Sequence, residues 1–171
     1  CSSDLESTQH VGSTFWFTLP LQEQGVPHAM EMAPRQKTIH SAGHLWRFLV
    51  VDDHKVNRLL VKQVLMNAWP RCEVLEAEDG AQAIAVLSSS HIDMLFMDMV
   101  MPVMDGVQAT QAIRHRGLGG ENLVIIGLTA NVNPPDLEVF RASGLDELIL
   151  KPFQSSALTG VVDGFLRQFM D

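Results

Sequence analysis

From residue 46 onward, short runs of consecutive apolar residues alternate with stretches in which apolar residues recur every three or four positions. The runs fall at residues 48–51, 74–75, 94–97, 123–128 and 148–150, and their continuous apolarity predicts strands buried on both faces. Between them Val56, Leu60, Val64 and Ala68 predict one helix, Ala81, Ile84 and Leu87 a second, and Ala109, Ala112 and Ile113 a third. A fourth helix is marked by its ends, with Asn133 as cap, Pro134 in the first turn and Gly144 as terminator. The fifth carries Leu158, Val161, Val162, Phe165 and Phe169 on one broad apolar face. The order βαβαβαβαβα predicts an α/β fold, a doubly wound five-stranded parallel sheet with helices on both faces.

Ahead of this pattern, Phe15, Phe17 and Leu19 alternate with Thr14, Trp16 and Thr18, which predicts a strand with no visible partner. Residues 22–45 hold Pro, Gly and polar residues without a sustained period and are read as a linker. The expected division is a short N-terminal piece, 1–21, a linker, 22–45, and one domain, 46–171. The chain begins with Cys1 and shows no charged segment followed by an apolar core, so it reads as part of a longer protein. A net charge of −8 argues against direct nucleic-acid binding and favours protein partners. Cys1 and Cys72 make neither a disulfide framework nor a metal-ligand spacing, which suits a reducing, cytoplasmic location. No apolar run approaches the roughly 20 residues that cross a bilayer, so direct membrane contact is not expected of this piece.

In an open α/β sheet, ligands bind beyond the carboxyl ends of the strands, so the polar residues closing each apolar run are the candidates. The first strand ends in Asp52-Asp53, the third in Asp98, the fourth in Thr129 and the fifth in Lys151. Two carboxylates about 4 Å apart repel by roughly 4 kcal/mol at an effective dielectric near 20, so three call for a cation. Oxygen-only ligands favour Mg²⁺, Mn²⁺ or Ca²⁺, and Mg²⁺ combines one or two carboxylates with waters and phosphate oxygens. Lys151 and Thr129 add a positive charge and a hydroxyl donor suited to a transferring phosphoryl group.

The acid pair Asp52-Asp53, the stretch Met97-Asp98-Met99-Val100-Met101-Pro102-Val103-Met104-Asp105-Gly106, the segment Leu128-Thr129-Ala130 and Lys151-Pro152-Phe153 resemble receiver domains of two-component signalling. Four separated motifs in the right order at the right strand ends make the resemblance specific, and it runs from Phe48 through the last helix. It implies a flavodoxin-like sheet of strand order 2-1-3-4-5. It also implies that Asp98 attacks phosphohistidine of a partner and becomes an acyl phosphate. By the same resemblance, Asp53, Asp98 and the Val100 carbonyl ligate Mg²⁺, with Asp52 acting through water. Lys151 would pair with the phosphoryl group, and Thr129 would move towards it and bias a surface at the fourth helix and fifth strand. A cis Lys151-Pro152 bond is also implied. The implied partners are the dimerisation and phosphoacceptor domain of a histidine kinase and a histidine phosphotransfer protein.

Two positions depart from the family pattern. Receivers often carry Tyr or Phe three residues before the Lys, where this chain has Leu148, and the chain contains no Tyr. Two residues after the nucleophile stands Val100, which cannot orient an attacking water, whereas Asn131 can; slow self-hydrolysis is the expectation. Residues Gly12-Ser13-Thr14-Phe15-Trp16-Phe17-Thr18-Leu19-Pro20-Leu21 resemble the closing strand of a histidine-kinase ATP-binding domain. With the downstream receiver, this implies a hybrid histidine kinase as parent, a protein that an inner-membrane anchor could hold. The ATP-binding glycine boxes and the phosphoacceptor His helix are absent from this piece, which is expected not to autophosphorylate from ATP.

Simpler roles compete at several of these residues. Asp53 alone would serve equally as a cap of the first helix. Asp105, with Gln108 three residues on, reads as a helix cap and no more. His54 reads as a surface residue at a helix start, and His40 and His44 as solvated linker histidines. Met97, Met99, Met101 and Met104 read as core and loop filling. The rival functions are a pseudo-receiver that binds partners without phosphorylation and a Mg²⁺-dependent aspartyl phosphatase. The latter usually places an Asp-x-Asp pattern on the first strand, and here the pair is contiguous.

Overall fold

The computed structural model describes residues 2–8, 12–18, 44–130 and 133–169. Two compact units are present, residues 1–38 and 39–171. In the first, β1 (Ser2–Thr8) and β2 (Gly12–Thr18) form an antiparallel hairpin in which Leu5 stands opposite Phe15. The strand expected to lack a partner therefore has one. Ser-Ser-Asp-Leu-Glu-Ser-Thr is too polar to announce itself by alternation, and pairing with β2 supplies its order. Leu19 lies outside the described residues.

The second unit runs β3 (Trp46–Val51), α1 (Lys55–Ala68), β4 (Cys72–Ala77), α2 (Gly80–Ser89), β5 (Met94–Asp98), α3 (Gly106–His115), β6 (Val124–Thr129), α4 (Pro134–Ala142), β7 (Glu147–Leu150) and α5 (Ser155–Gln168). The five strands are all parallel, in the order β4-β3-β5-β6-β7. Counted within this unit, that is 2-1-3-4-5, the flavodoxin-like order implied by the sequence. No helix among the described residues is long and apolar enough to cross a membrane.

The central strands are apolar on both faces because each face carries a layer of helices. Phe48, Val50 and Phe96 pack with Val61, Leu65 and Trp69 of the α1 region and with Leu158 and Val162 of α5. On the opposite face Leu49, Val51, Leu95 and Met97 meet Ala83 and Leu87 of α2 and Ala109 and Ile113 of α3. Phe48 makes edge contacts with Trp69 and Phe96, both at 6.0 Å between ring centroids, anchoring the first layer. The methionines at 97, 99 and 101 are buried in the second layer, as the reading of core filling requires.

Helix α1 turns differently from its predicted stripe. Val56 and Leu60 are 77% and 53% exposed, and the buried residues are Arg58, Val61, Val64 and Leu65. A row of i+4 steps drifts about 40° per step around a helix, so a row through Val64 leaves the sheet towards the N-terminus. In α2 the same correction moves burial from Ala81 to Ala83, with Ile84 half-buried. Leu166 joins the core face of α5, whereas Phe169 just beyond the helix is 40% exposed. Helix α4 begins after Asn133 with Pro134 in its first turn, and Gly144 follows its end at φ 99°. The Asn133 side chain makes no capping bond; its carbonyl accepts from Asp136 and Leu137.

The β5–α3 loop holds Val103 at φ 72° with 90% of its surface exposed. A β-branched residue in the left-handed region is strained, and here burial offers no compensation. Val103→Asn is expected to stabilise the chain by about 0.5–1 kcal/mol, because Asn tolerates this conformation without glycine's extra unfolded entropy. An unchanged or lower urea midpoint would contradict it.

Candidate functional site

The site forms where β3, β5, β6 and β7 end at one edge of the sheet. Asp52 and Asp53 follow the last residue of β3, Asp98 closes β5, Thr129 closes β6, and Lys151 follows β7. Asp52 and Thr129 are each 1% exposed and Asp98 is 7% exposed. Backbone bonds set the edge: Asp52 N–H donates to Ala77 O, Met99 N–H to Leu128 O and Lys151 N–H to Thr129 O.

Lys151 Nζ lies 2.6 Å from Asp52 Oδ2 and 3.0 Å from Asp98 Oδ2, bridging the first and third acids of the sequence set. Burial pushes the Asp98 carboxyl above its ordinary range; the Lys151 charge opposes that rise and Asp52 adds to it. Asp98 Oδ1 accepts a backbone bond from Val100 N–H at 3.3 Å. The Lys151-Pro152 peptide is cis.

Asp52 is heavily committed. Its Oδ1 accepts from His54 N–H at 2.8 Å and Asn57 Nδ2 at 3.1 Å; its Oδ2 accepts from Lys151 and from Asn57 Nδ2 at 3.1 Å. A carboxylate offers about four lone-pair sites, so Asp52 is nearly saturated. Asp53 is different: its side chain is 26% exposed and meets only the exposed His54, Nδ1 to Oδ1 at 2.8 Å, among the bonds seen. Asp53 does not cap α1, because His54 occupies the N-cap position. Ligand atoms of Asp52, Asp53 and His54 lie within 4.8 Å of one another, a spacing able to hold a cation. An oxygen-rich donor set with a partly exposed carboxylate suits a hard, partly hydrated ion such as Mg²⁺.

The remaining candidates sort clearly. Asp105 caps α3, accepting from Gln108 N–H at 2.8 Å. Val100 is 69% exposed beside Asp98. Asn131 and His40 lie outside the described residues. His44 stacks edge-on against Trp46 at 4.2 Å and meets Asp93 at 3.3 Å, so it is not simply solvated. Asn57 and Arg58, both in contact with Asp52, were missed by the sequence reading. The available signal was a charged Arg58 standing on the apolar Val61–Leu65 face of α1.

A doubly wound parallel sheet with carboxylates and a lysine at its carboxyl edge defines a site-bearing α/β domain of the receiver class. The chain belongs to the response regulator receiver domain family, whose pattern matches residues 48–163. It is 42% identical over 104 residues to the sensor histidine kinase RcsC of Escherichia coli K12, covering 61% of this chain and 10% of that protein. Sensor protein EvgS of the same strain is 34% identical over 155 residues, covering 90% of this chain and 12% of that protein. The chain thus spans about a tenth of the length of these relatives. Among solved structures, the receiver domain of a Pseudomonas aeruginosa PAO1 sensor histidine kinase matches at TM-score 0.62 and 30% identity. That match covers 71% of this chain and 98% of that domain, which carries a magnesium ion in its active site cleft.

Proposed function

We propose that this chain is the phosphoacceptor of a phosphorelay and that Asp98 receives the phosphoryl group from a phosphohistidine. The observation that carries the reading is Lys151 Nζ placed between the Asp52 and Asp98 carboxylates at the meeting of the strand ends. An Asp98 oxygen attacks phosphorus, the P–N bond breaks, and the leaving imidazole takes up a proton. Lys151 would exchange its bond to Asp98 for one to the phosphoryl oxygens, and the Thr129 hydroxyl would donate to another. Asp53, Asp98 and the Val100 carbonyl would hold Mg²⁺, with Asp52 reaching it through water. Mg²⁺ supplies neutralisation of charge on the phosphoryl oxygens.

The same reading makes the chain part of a hybrid histidine kinase. Its division is a kinase-domain remnant at 1–21, a linker at 22–45 and the receiver at 46–171. Supporting it, the chain divides into its two compact units between residues 38 and 39, within the span of that linker, and the named relatives are sensor proteins many times longer. The phosphodonor or acceptor would be a kinase phosphoacceptor domain or a histidine phosphotransfer protein on the cytoplasmic side. Exposed Val56, Leu59 and Leu60 on α1 flank the site and offer such a partner an apolar contact. A cavity of about 270 Å³ between Leu60, Lys151, Pro152 and Phe153 continues that face.

The test is incubation of the purified chain with Mg²⁺ and acetyl phosphate, followed by intact mass. One phosphate adduct is expected, lost in Asp98→Asn and in EDTA. An adduct that survives Asp98→Asn, or none on the unaltered chain, would refute the assignment.

A further inference from the structure

Arg58 is a buried charge that the proposed reaction does not use. Its side chain is 6% exposed, and a guanidinium so placed must find acceptors for its donors. Two come from the β4 side: Nη2 meets Glu78 Oε1 at 2.8 Å and Nε meets Glu76 Oε2 at 3.4 Å. Lys62 Nζ, 2.7 Å from the other Glu76 oxygen, holds that carboxyl below its usual range and keeps it a good acceptor. The shortest of the three bonds goes elsewhere, from Nη1 to the main-chain carbonyl of Asp52 at 2.7 Å.

That carbonyl belongs to the peptide plane joining Asp52 to Asp53. Fixing the plane restricts the Cα–Cβ directions of both acids. One residue earlier on the helix, Asn57 Nδ2 reaches both oxygens of the Asp52 carboxylate at 3.1 Å. Adjacent residues in the first turn of α1 therefore hold Asp52 at both ends, main chain by Arg58 and side chain by Asn57.

We infer that Asn57 and Arg58 are positioning residues for the acid pair, and that they set the affinity of the site for its divalent cation. The inference rests on the phosphoacceptor reading of the site. An arginine serving only to join α1 to β4 would be satisfied by Glu76 and Glu78, and the Asp52 contact would carry no consequence for the ion. A positioning role makes ion affinity depend on the Asp52 contacts even where stability does not. Asn57 is the cleaner probe, since it is half-buried and removing its amide leaves the core of α1 intact.

The experiment titrates Mg²⁺ calorimetrically into the purified chain and into Asn57→Ala, Arg58→Gln, Arg58→Lys and Glu78→Gln, with the melting temperature of each measured alongside. Supporting groups around a metal are commonly worth about tenfold or more in affinity. Asn57→Ala and Arg58→Gln are expected to weaken Mg²⁺ binding by about tenfold, and Arg58→Lys to recover part of the loss by keeping one donor on the carbonyl. Glu78→Gln, which leaves the Asp52 contact in place, should bind Mg²⁺ as the parent does. Parent-like affinity in Asn57→Ala and Arg58→Gln would overturn the inference while leaving the phosphoacceptor reading intact. Affinity that merely follows melting temperature across all four variants would also overturn it. A parent chain that binds no Mg²⁺ would overturn both.

Discussion

Lys151→Met is expected to weaken both properties of the site, lowering metal-free stability by about 3 kcal/mol and phosphate uptake by about a hundredfold or more. The lysine nitrogen is the cation between two buried carboxylates, 2.6 Å from Asp52 and 3.0 Å from Asp98. Without it the acids face each other with nothing between them. Asp98 already sits above its ordinary range through burial, and Lys151 is the largest influence opposing that rise, so the variant raises it further. A carboxyl whose folded value lies above its unfolded value stabilises the fold at pH below the unfolded value, and loses that contribution as pH rises through the folded value. The deficit against the parent should therefore be small near pH 4 and complete at neutral pH. Urea denaturation in EDTA at the two pH values reads this directly. A deficit equal at both would show that Lys151 does not act through the charge of Asp98. Added Mg²⁺ should restore part of the lost stability, because a divalent ion can occupy the same electrostatic role.

Gly106→Ala should be the most disruptive single-methyl change near the site. A Cβ at this position would collide with the Asp98 carbonyl oxygen and stand 2.7 Å from Met99 Cα. Both are main-chain atoms, and neither can swing aside as a flexible side chain would. Gly106 N–H also donates to Met99 O at 3.3 Å, tying the start of α3 to the end of β5. Relief requires α3 to move away or β5 to retreat, and the second displaces Asp98 itself. A loss of about 2–4 kcal/mol is expected, with slower phosphate uptake by the folded fraction. Gly160→Ala is the matched control: nothing lies within 4 Å of a Cβ there, and the exposed α5 position should gain about 0.5–1 kcal/mol. Equal urea midpoints for the two variants would contradict the close-approach argument.

Much of the fold was legible because its governing interactions are local or periodic. Strands covered on both sides by helices must be apolar at every position, and so residues 48–51, 94–97 and 123–128 stood out. The edge strand β4 was legible only at its centre, because its exposed positions carry Glu73 and Glu76. Helix α4 was found from its ends, where Pro134 and Gly144 act through backbone conformation. The gathering of Asp52, Asp53, Asp98, Thr129 and Lys151 was legible because parallel topology carries every strand's carboxyl end to one edge.

Tertiary structure decided what depends on rotation and on distant partners. The sequence set the period of α1 but not its phase: packing turned Val56 and Leu60 outward and drew Arg58 in. A buried arginine is unreadable from pattern alone, since its position is stable only through Glu76, Glu78 and the Asp52 carbonyl. The surroundings of the adjacent acids separated for the same reason, with Asp52 nearly saturated by four bonds and Asp53 left partly open. The partner of β2 likewise appeared only on pairing, because β1 owes its extended form to hydrogen bonds across the hairpin rather than to a pattern of its own. Residue types and their order determined which chemistry collects at the sheet edge, while side-chain direction and shared hydrogen bonds decided how each residue is held there.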